Sequence, residues 1–258
     1  MRYSIRLSYD GNAFCGWQIQ NNAASVQGTI ESALSTISGQ NIQITGAGRT
    51  DTGVNAINYI AHFEIPSGLS LEAEQLAYKL NAMLPREIVI HEICEVTEDF
   101  HARFDARSRE YCYFIHFKKD PFAEKFSYRM RQSLDIEAMN KACSYLLGEH
   151  DFSCFEKTGG NNTTSICTIT HALWSTYRPT HAELMGFPYS DGDYIVFRIR
   201  ANRFLRNMVR AIVGSLIEVG RGKKDPSWIS SLIASGSRSD AGQSVPGNAL
   251  FFCGAEYK

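Results

Sequence analysis

The stretch G-A-G-R-T-D-T-G-V-N-A-I-N-Y-I-A-H-F-E-I, residues 46–65, holds two different patterns. From Ile57 onward an apolar side chain returns at every second position: Ile57, Tyr59, Ala61, Phe63 and Ile65. A period of two is the signature of a strand with one buried face. The part before it, Gly46 to Ala56, has three glycines, Arg49, two threonines and one acid, Asp51. It has both charge signs and little apolar anchoring, and it is longer than a link between two strands requires.

Working outward, I-Q-I-T (42–45) reads as a short strand entering this loop. Upstream, Ser25 is placed to cap a helix with Val26, Ile30, Ala33, Leu34 and Ile37 on one face. Tyr3, Ile5, Leu7 and Tyr9 alternate as a first strand. Downstream, Leu69-Ser70 opens a second helix with Leu76, Leu80 and Met83 inward, and Pro85 ends it. I-V-I-H-E-I (88–93) is a further strand. The order is β-α-β-β-α-β.

The second half repeats that order without repeating residues. Tyr111, Tyr113, Ile115 and Phe117 form one strand face, and Asp135 caps a helix closed by Gly148. Ser165–Tyr177 and Tyr194–Ala201 read as strands, Phe204–Val219 as a long helix, Asp225-Pro226 as the start of a short one, and Ala249–Tyr257 as a closing strand. The expected fold class is therefore α+β: two tandem ferredoxin-like units with antiparallel sheets joined around a central cleft. The expected boundary gives an N-terminal domain 1–104 with the Asp51 loop, and a C-terminal domain 105–258 completing the cleft.

Composition narrows the function classes. Of 258 residues, 44% are hydrophobic and 21% charged, enough for sizeable cores under a polar surface. No apolar run reaches membrane-spanning length, and the N-terminus alternates instead of forming a signal-type block. A cytoplasmic protein is expected. The seven cysteines form no C-x-x-C pair, so reduced and mostly buried thiols are expected, with no metal site and no cofactor. The formal net charge is −1, yet eight basic residues crowd between Arg198 and Lys224 against one acid, Glu218. Such a local stripe suits phosphates even on a neutral protein.

Three chemistries compete for the loop. A phosphate cradle or dinucleotide fingerprint needs glycine spacings that are absent. Asp51-Thr52-Gly53 matches the D-T-G of aspartic proteases, but those need two carboxylates sharing a proton, and Arg49 beside Asp51 works against that. Only a homodimer could supply the second. A plain structural turn is the third reading, since Asp, Thr and Gly all favour turns.

Set beside known families, G-R-T-D-T-G-V-N-A closely resembles the catalytic loop of the tRNA pseudouridine synthase A family. Further blocks follow in the same order: Y-D-G-x-x-F-x-G-W-Q (9–18), V-Q-G-T-I-E (26–31), N-A-M-L-P (81–85), F-H-A-R-F-D-A (100–106), R-E-Y-x-Y (109–113), G-x-H-D-F (148–152) and F-L-R-N-M-V-R-x-I-V-G (204–214). The resemblance spans nearly the whole chain. It implies isomerisation of uridine to pseudouridine at positions 38–40 of the tRNA anticodon stem-loop, without a cofactor, by a homodimer. It also implies Asp51 as the essential carboxylate, acting by covalent attack or by assisting ribose deprotonation.

Either role needs the carboxylate ionised, and Arg49 is suited to pair with it or to fill the stack left by the extruded base. Tyr111 matches the tyrosine that stacks on the target uracil, and its hydroxyl is a candidate to accept the C5 proton. Arg210 matches a residue near the catalytic aspartate. Leu250 matches one that packs on the base. Phe204, Met208 and Arg210 are placed on one helix; His101 and Arg103 sit at the domain boundary. Trp17, Trp174 and Trp228 read as packing. The acidic segment around residues 183–193 departs from the family's more basic second half. A non-catalytic RNA-binding module with the same fold is the remaining alternative.

Overall fold

A computed structural model describes residues 1–21, 23–65, 72–159 and 163–257. The chain forms two compact units, Met1–Arg109 with Phe251–Lys258, and Glu110–Leu250. These differ from the expected 1–104 and 105–258, because the last strand returns to the first unit. The architecture is α+β with mostly antiparallel strand pairing.

In the first unit the elements are β1 (Arg2–Tyr9), α1 (Val26–Ser38), β2 (Ile44–Gly46), β3 (Asn55–Glu64), α2 (Ala73–Met83) and β4 (Ile88–Val96). β1 lies between β4 and β3, antiparallel to both, with Ile5 opposite Ala61 and Ile93. β2 pairs with the far end of β3, Ile44 opposite Phe63. The predicted alternation is real: Tyr3, Ile5, Leu7 and Tyr9 of β1, with Tyr59, Ala61 and Phe63 of β3, are all buried. Ile57, at the loop-proximal end of β3, is exposed instead. Ser25 caps α1, its Oγ accepting from Gly28 N at 3.2 Å, and Gly39 closes the helix in the left-handed conformation. The predicted opening of α2 at Leu69-Ser70 lies outside the described residues.

The second unit contains the rest of β5 (Ser108–His116), then β6 (Tyr128–Arg129), α3 (Ile136–Ser144), β7 (Gly148–Asp151), β8 (Ile166–Thr176), α4 (Thr180–Met185), β9 (Tyr194–Ala201), α5 (Met208–Gly220) and α6 (Trp228–Ser235). The chain re-enters the first unit along β10 (Leu250–Glu256). Strand order here is β5-β9-β8-β7, with β6 parallel to β5. β6, β7 and α4 are additions to the sequence-based plan. Asp135 caps α3 as expected, but that helix ends at Ser144, and Gly148 (φ 100°) opens β7 instead.

Both units close a strand with a helix asparagine. Asn81 of α2 donates to Ile90 O and accepts from Ile90 N, each at 2.8 Å. Asn140 of α3 does the same with Trp174 of β8, at 3.0 and 2.8 Å. An amide matches a backbone donor–acceptor pair, so each bridge ties a helix to its strand and satisfies groups that a strand would otherwise leave open.

α5 is shorter than its apolar period predicts. It starts at Met208, not Phe204, because Asn207 takes a left-handed backbone (φ 63°) and breaks the run. Asn207 is held there by its Nδ2 donating to Ser244 Oγ at 2.6 Å. Along α5, Met208, Val209, Ile212, Val213, Leu216 and Ile217 are buried. Gly214 is needed because the 242–243 backbone crosses it: a Cβ there would collide with Gln243 O. Gly242 N also donates to Ser215 Oγ at 2.8 Å, which fastens the crossing. Gly214→Ala is therefore expected to destabilise the protein by about 1–3 kcal/mol or more, read as a lowered urea midpoint with an unchanged slope.

Candidate active-site loop and substrate-binding residues

The loop from Gly46 to Ala56 is built down onto the core of the first unit. Two buried tyrosine hydroxyls hold it. Tyr59 of β3 bonds the carbonyl of Gly48 through its hydroxyl and accepts from Gly48 N at 3.3 Å. Tyr9 of β1 meets Thr50 Oγ1 at 2.8 Å. The Tyr59 ring is fully buried, 4.2 Å from Trp17 and 5.3 Å from Phe252, centroid to centroid. The loop thus rests on a cluster of tilted aromatic rings, two of which, Tyr59 and Phe252, belong to sheet strands.

The segment 10–17 grips the loop from the side. Trp17 N donates to Thr50 O at 3.2 Å, Gly53 N to Phe14 O at 3.4 Å, and Gly11 N to Asn55 Oδ1 at 2.9 Å. These approaches leave no room for side chains. A Cβ on Gly11 would strike Val54 O, and one on Gly16 (φ 91°) would strike Thr50 O. The glycines of Y-D-G-x-x-F-x-G-W-Q therefore exist to admit the Asp51 loop, a pairing the sequence blocks show only as two separate motifs. Asp51 is half-buried at the turn, its carbonyl accepting from Val54 N at 3.1 Å. Arg49 is exposed on the same loop.

A third clamp is Arg109. Its guanidinium donates to Ala106 O at 2.8 Å, to Ala47 O at 3.3 Å, and to Arg103 O. The F-H-A-R-F-D-A segment is anchored in turn. Ala102 N donates to His62 Nδ1 at 3.1 Å, and Tyr257 donates to Ala102 O at 2.7 Å. Burial first, then the nearby His101 and Arg2, pulls the His62 pKa down to about 4.

In the second unit, Tyr111 of β5 is buried with its ring edge-on to Phe204 at 5.1 Å and 88°. Phe204 lies before α5, not on it. Arg210, half-buried on α5, donates from Nε to Val245 O at 2.7 Å, while Val245 N returns a bond to Arg210 O at 3.2 Å. Leu250 is buried just past this segment, its N donating to Gly247 O at 2.9 Å. Tyr113 donates to Pro246 O at 3.1 Å; burial raises its pKa, keeping the hydroxyl protonated for that role. The S-V-P-G-N segment is thereby fixed to both β5 and α5.

The basic stripe is not one helical face. Arg198 and Arg200 stand on β9 and both engage Glu110, each at 2.7 Å. Burial alone would raise the Glu110 pKa, but the bonds from Arg200 and Arg198 outweigh it and hold the carboxyl ionised. Arg206 donates to Thr158 O at 3.3 Å, and Arg221 and Lys223 share Glu218, each at 3.0 Å. Glu110 and Glu218 thus offset two of the stripe's eight charges, which modestly lowers its pull on phosphate. Trp17 and Trp174 are buried, as packing requires; Trp228 is half-buried with Lys224 Nζ at 5.0 Å from its ring. The seven cysteines are all free thiols, four of them buried. Among the described residues no helix is long and apolar enough to cross a membrane.

With this geometry in view, the comparisons are specific. A family model described as tRNA pseudouridine synthase matches residues 6–105 and 142–258. A tRNA pseudouridine synthase A of Parabacteroides distasonis is 45% identical over 99% of this chain and 96% of its own length. Those of Bacteroides fragilis and Halalkalibacterium halodurans are 43% and 40% identical, covering 99% and 96% of this chain and 96% and 90% of theirs. The chain belongs to the tRNA pseudouridine synthase family, and the matched residues include its D-T-G.

His62 gives a pH prediction. Its folded pKa, about 4, lies below the 6.5 of an exposed histidine, so the unfolded chain binds the extra proton first. The stabilisation is complete above pH 6.5 and is lost as pH falls towards 4, by up to about 3 kcal/mol. His62→Gln is expected to flatten that part of the stability–pH curve, measured by urea unfolding at stepped pH.

Proposed function

We propose that this chain converts uridine to pseudouridine at positions 38–40 of the tRNA anticodon stem-loop, with Asp51 as the catalytic carboxylate. The reaction, isomerisation of uridine in tRNA, is that of its family. The C1′–N1 bond breaks and N1 keeps the electron pair, the uracil turns, C5 bonds to C1′ and then loses its proton to a base, and N1 takes up a proton. The observation that carries Asp51 is its setting. It sits in a loop whose backbone is bonded on both sides of it, at Gly48, Thr50, Gly53 and Val54. A carboxylate that must meet one carbon gains from such prior ordering.

Arg49, exposed two residues away, is assigned to the place vacated by the extruded base. Extrusion costs a few kcal/mol, and stacking of the flipped ring on Tyr111 returns about 1–3 kcal/mol. Phe204 supports that assignment by holding the tyrosine ring edge-on. Arg210 and Leu250 complete the substrate-binding set. The ferredoxin-like description is likewise our reading. Residues 2–96 run β-α-β-β-α-β, and β5, α3, β8, β9, α5 and β10 follow the same order with insertions. Action as a homodimer in the cytoplasm goes with this assignment.

Tritium release from tRNA labelled at uracil C5 tests it. Wild-type protein is expected to release label, and Asp51→Asn to lose turnover while keeping tRNA affinity. Release by the asparagine variant at the wild-type rate would remove Asp51 from the chemistry. Tyr111→Phe separates two roles: a pure stacking partner keeps turnover, whereas a C5-proton acceptor loses it by about 10²-fold or more.

A further inference from the structure

Phe104 is large, apolar and 73% exposed. It is not at a loose chain end. Arg103 N and Phe104 N both donate to His101 Nδ1, at 3.2 and 3.3 Å. His101 N donates to Asp105 Oδ2 at 2.7 Å, and Asp105 N to His101 O at 3.0 Å. The His101 ring stands 4.2 Å from the Phe104 ring, inclined by 35°, and the Arg103 guanidinium carbon is 5.6 Å from the ring centroid. Rigid backbone therefore holds an aromatic ring out in water, beside a cation.

This platform is tied to the Asp51 loop. Arg109 bonds Arg103 O and Ala47 O with the same nitrogen. Asp51 follows Ala47 by four residues, so their Cα atoms are at most about 14 Å apart. A held ring with an adjacent guanidinium has the make-up of a site that stacks on a nucleobase, which every base can satisfy through its π-face. Arg103 and Arg107, both exposed, add charge for the neighbouring phosphates.

We propose that Phe104 is a stacking platform for an unpaired base of the tRNA near the target uridine, with Arg103 closing over that base. This rests on the tRNA-modifying reading given above, and the test separates the two. KM and kcat for tritium release, and filter binding of unmodified tRNA, are measured for wild type, Phe104→Tyr, Phe104→Leu and Phe104→Ala. Phe104→Ala is expected to raise KM and Kd by roughly 5- to 150-fold, with kcat and melting temperature unchanged.

Phe104→Tyr keeps wild-type values; Phe104→Leu, apolar but without a π-face, behaves like alanine. Equal KM for wild type and alanine variant, with wild type active, overturns the platform and leaves the enzyme assignment intact. A change of oligomeric mass in Phe104→Ala at unchanged Kd gives the ring to a protein contact and also overturns it. Wild-type protein that neither binds nor modifies tRNA removes both readings.

Discussion

The structure of the first unit turns on two hydroxyl groups. Tyr9 and Tyr59 belong to neighbouring strands, and their rings are core residues like any other. Their oxygens, however, emerge under the Asp51 loop and bond Thr50 and Gly48. A net hydrogen bond in a folded protein contributes about 1 kcal/mol, but leaving a buried hydroxyl unpaired costs more. The sheet and the loop are therefore interdependent: the loop satisfies the core's polar atoms, and the core fixes the loop. The glycines at 11, 16 and 46 follow from this, because each lies where backbone or ring comes too near for a Cβ.

The second unit uses the same logic with different residues. Arg210 and Val245 exchange bonds, Asn207 reaches Ser244, and Gly214 lets the 242–243 backbone pass over α5. Arg210 itself stands on the helix and Leu250 follows the strapped segment at the start of β10, so neither proposed substrate contact sits on a free loop. Such placement suits a reaction that needs geometry more than bulk charge. The pairing of Arg198 and Arg200 with Glu110 agrees, since that carboxylate offsets one of their two charges.

Much of this was legible in the sequence where local chemistry decides. Ser25 and Asp135 act as helix caps because a short polar side chain before an apolar period has few other uses. The alternation in β1 and β3 revealed a buried face directly. Asp51 stood out because its block of residues resembled a known catalytic loop. What stayed hidden depends on contacts distant in sequence. Asn207 takes its left-handed backbone with its side chain bonded to Ser244, and a window around residue 204 holds no sign of that partner. The purpose of Gly11 and Gly16 appears only once Val54 and Thr50 are seen beside them. Phe104 draws no reading of its own within F-H-A-R-F-D-A, since exposure is a tertiary fact. The return of β10 to the first unit is likewise a matter of pairing, with Phe251 opposite Asn55.

The claim at the centre is that the Asp51 loop is already built in the protein without RNA. Amide hydrogen exchange on the free protein measures this directly at Ala47, Val54, Trp17 and Gly11, whose N–H groups bond Ile60 O, Asp51 O, Thr50 O and Asn55 Oδ1. The account predicts that these amides exchange at least about tenfold more slowly than in an unstructured chain. Exchange at the unstructured rate, with protection appearing only when tRNA is added, would contradict it.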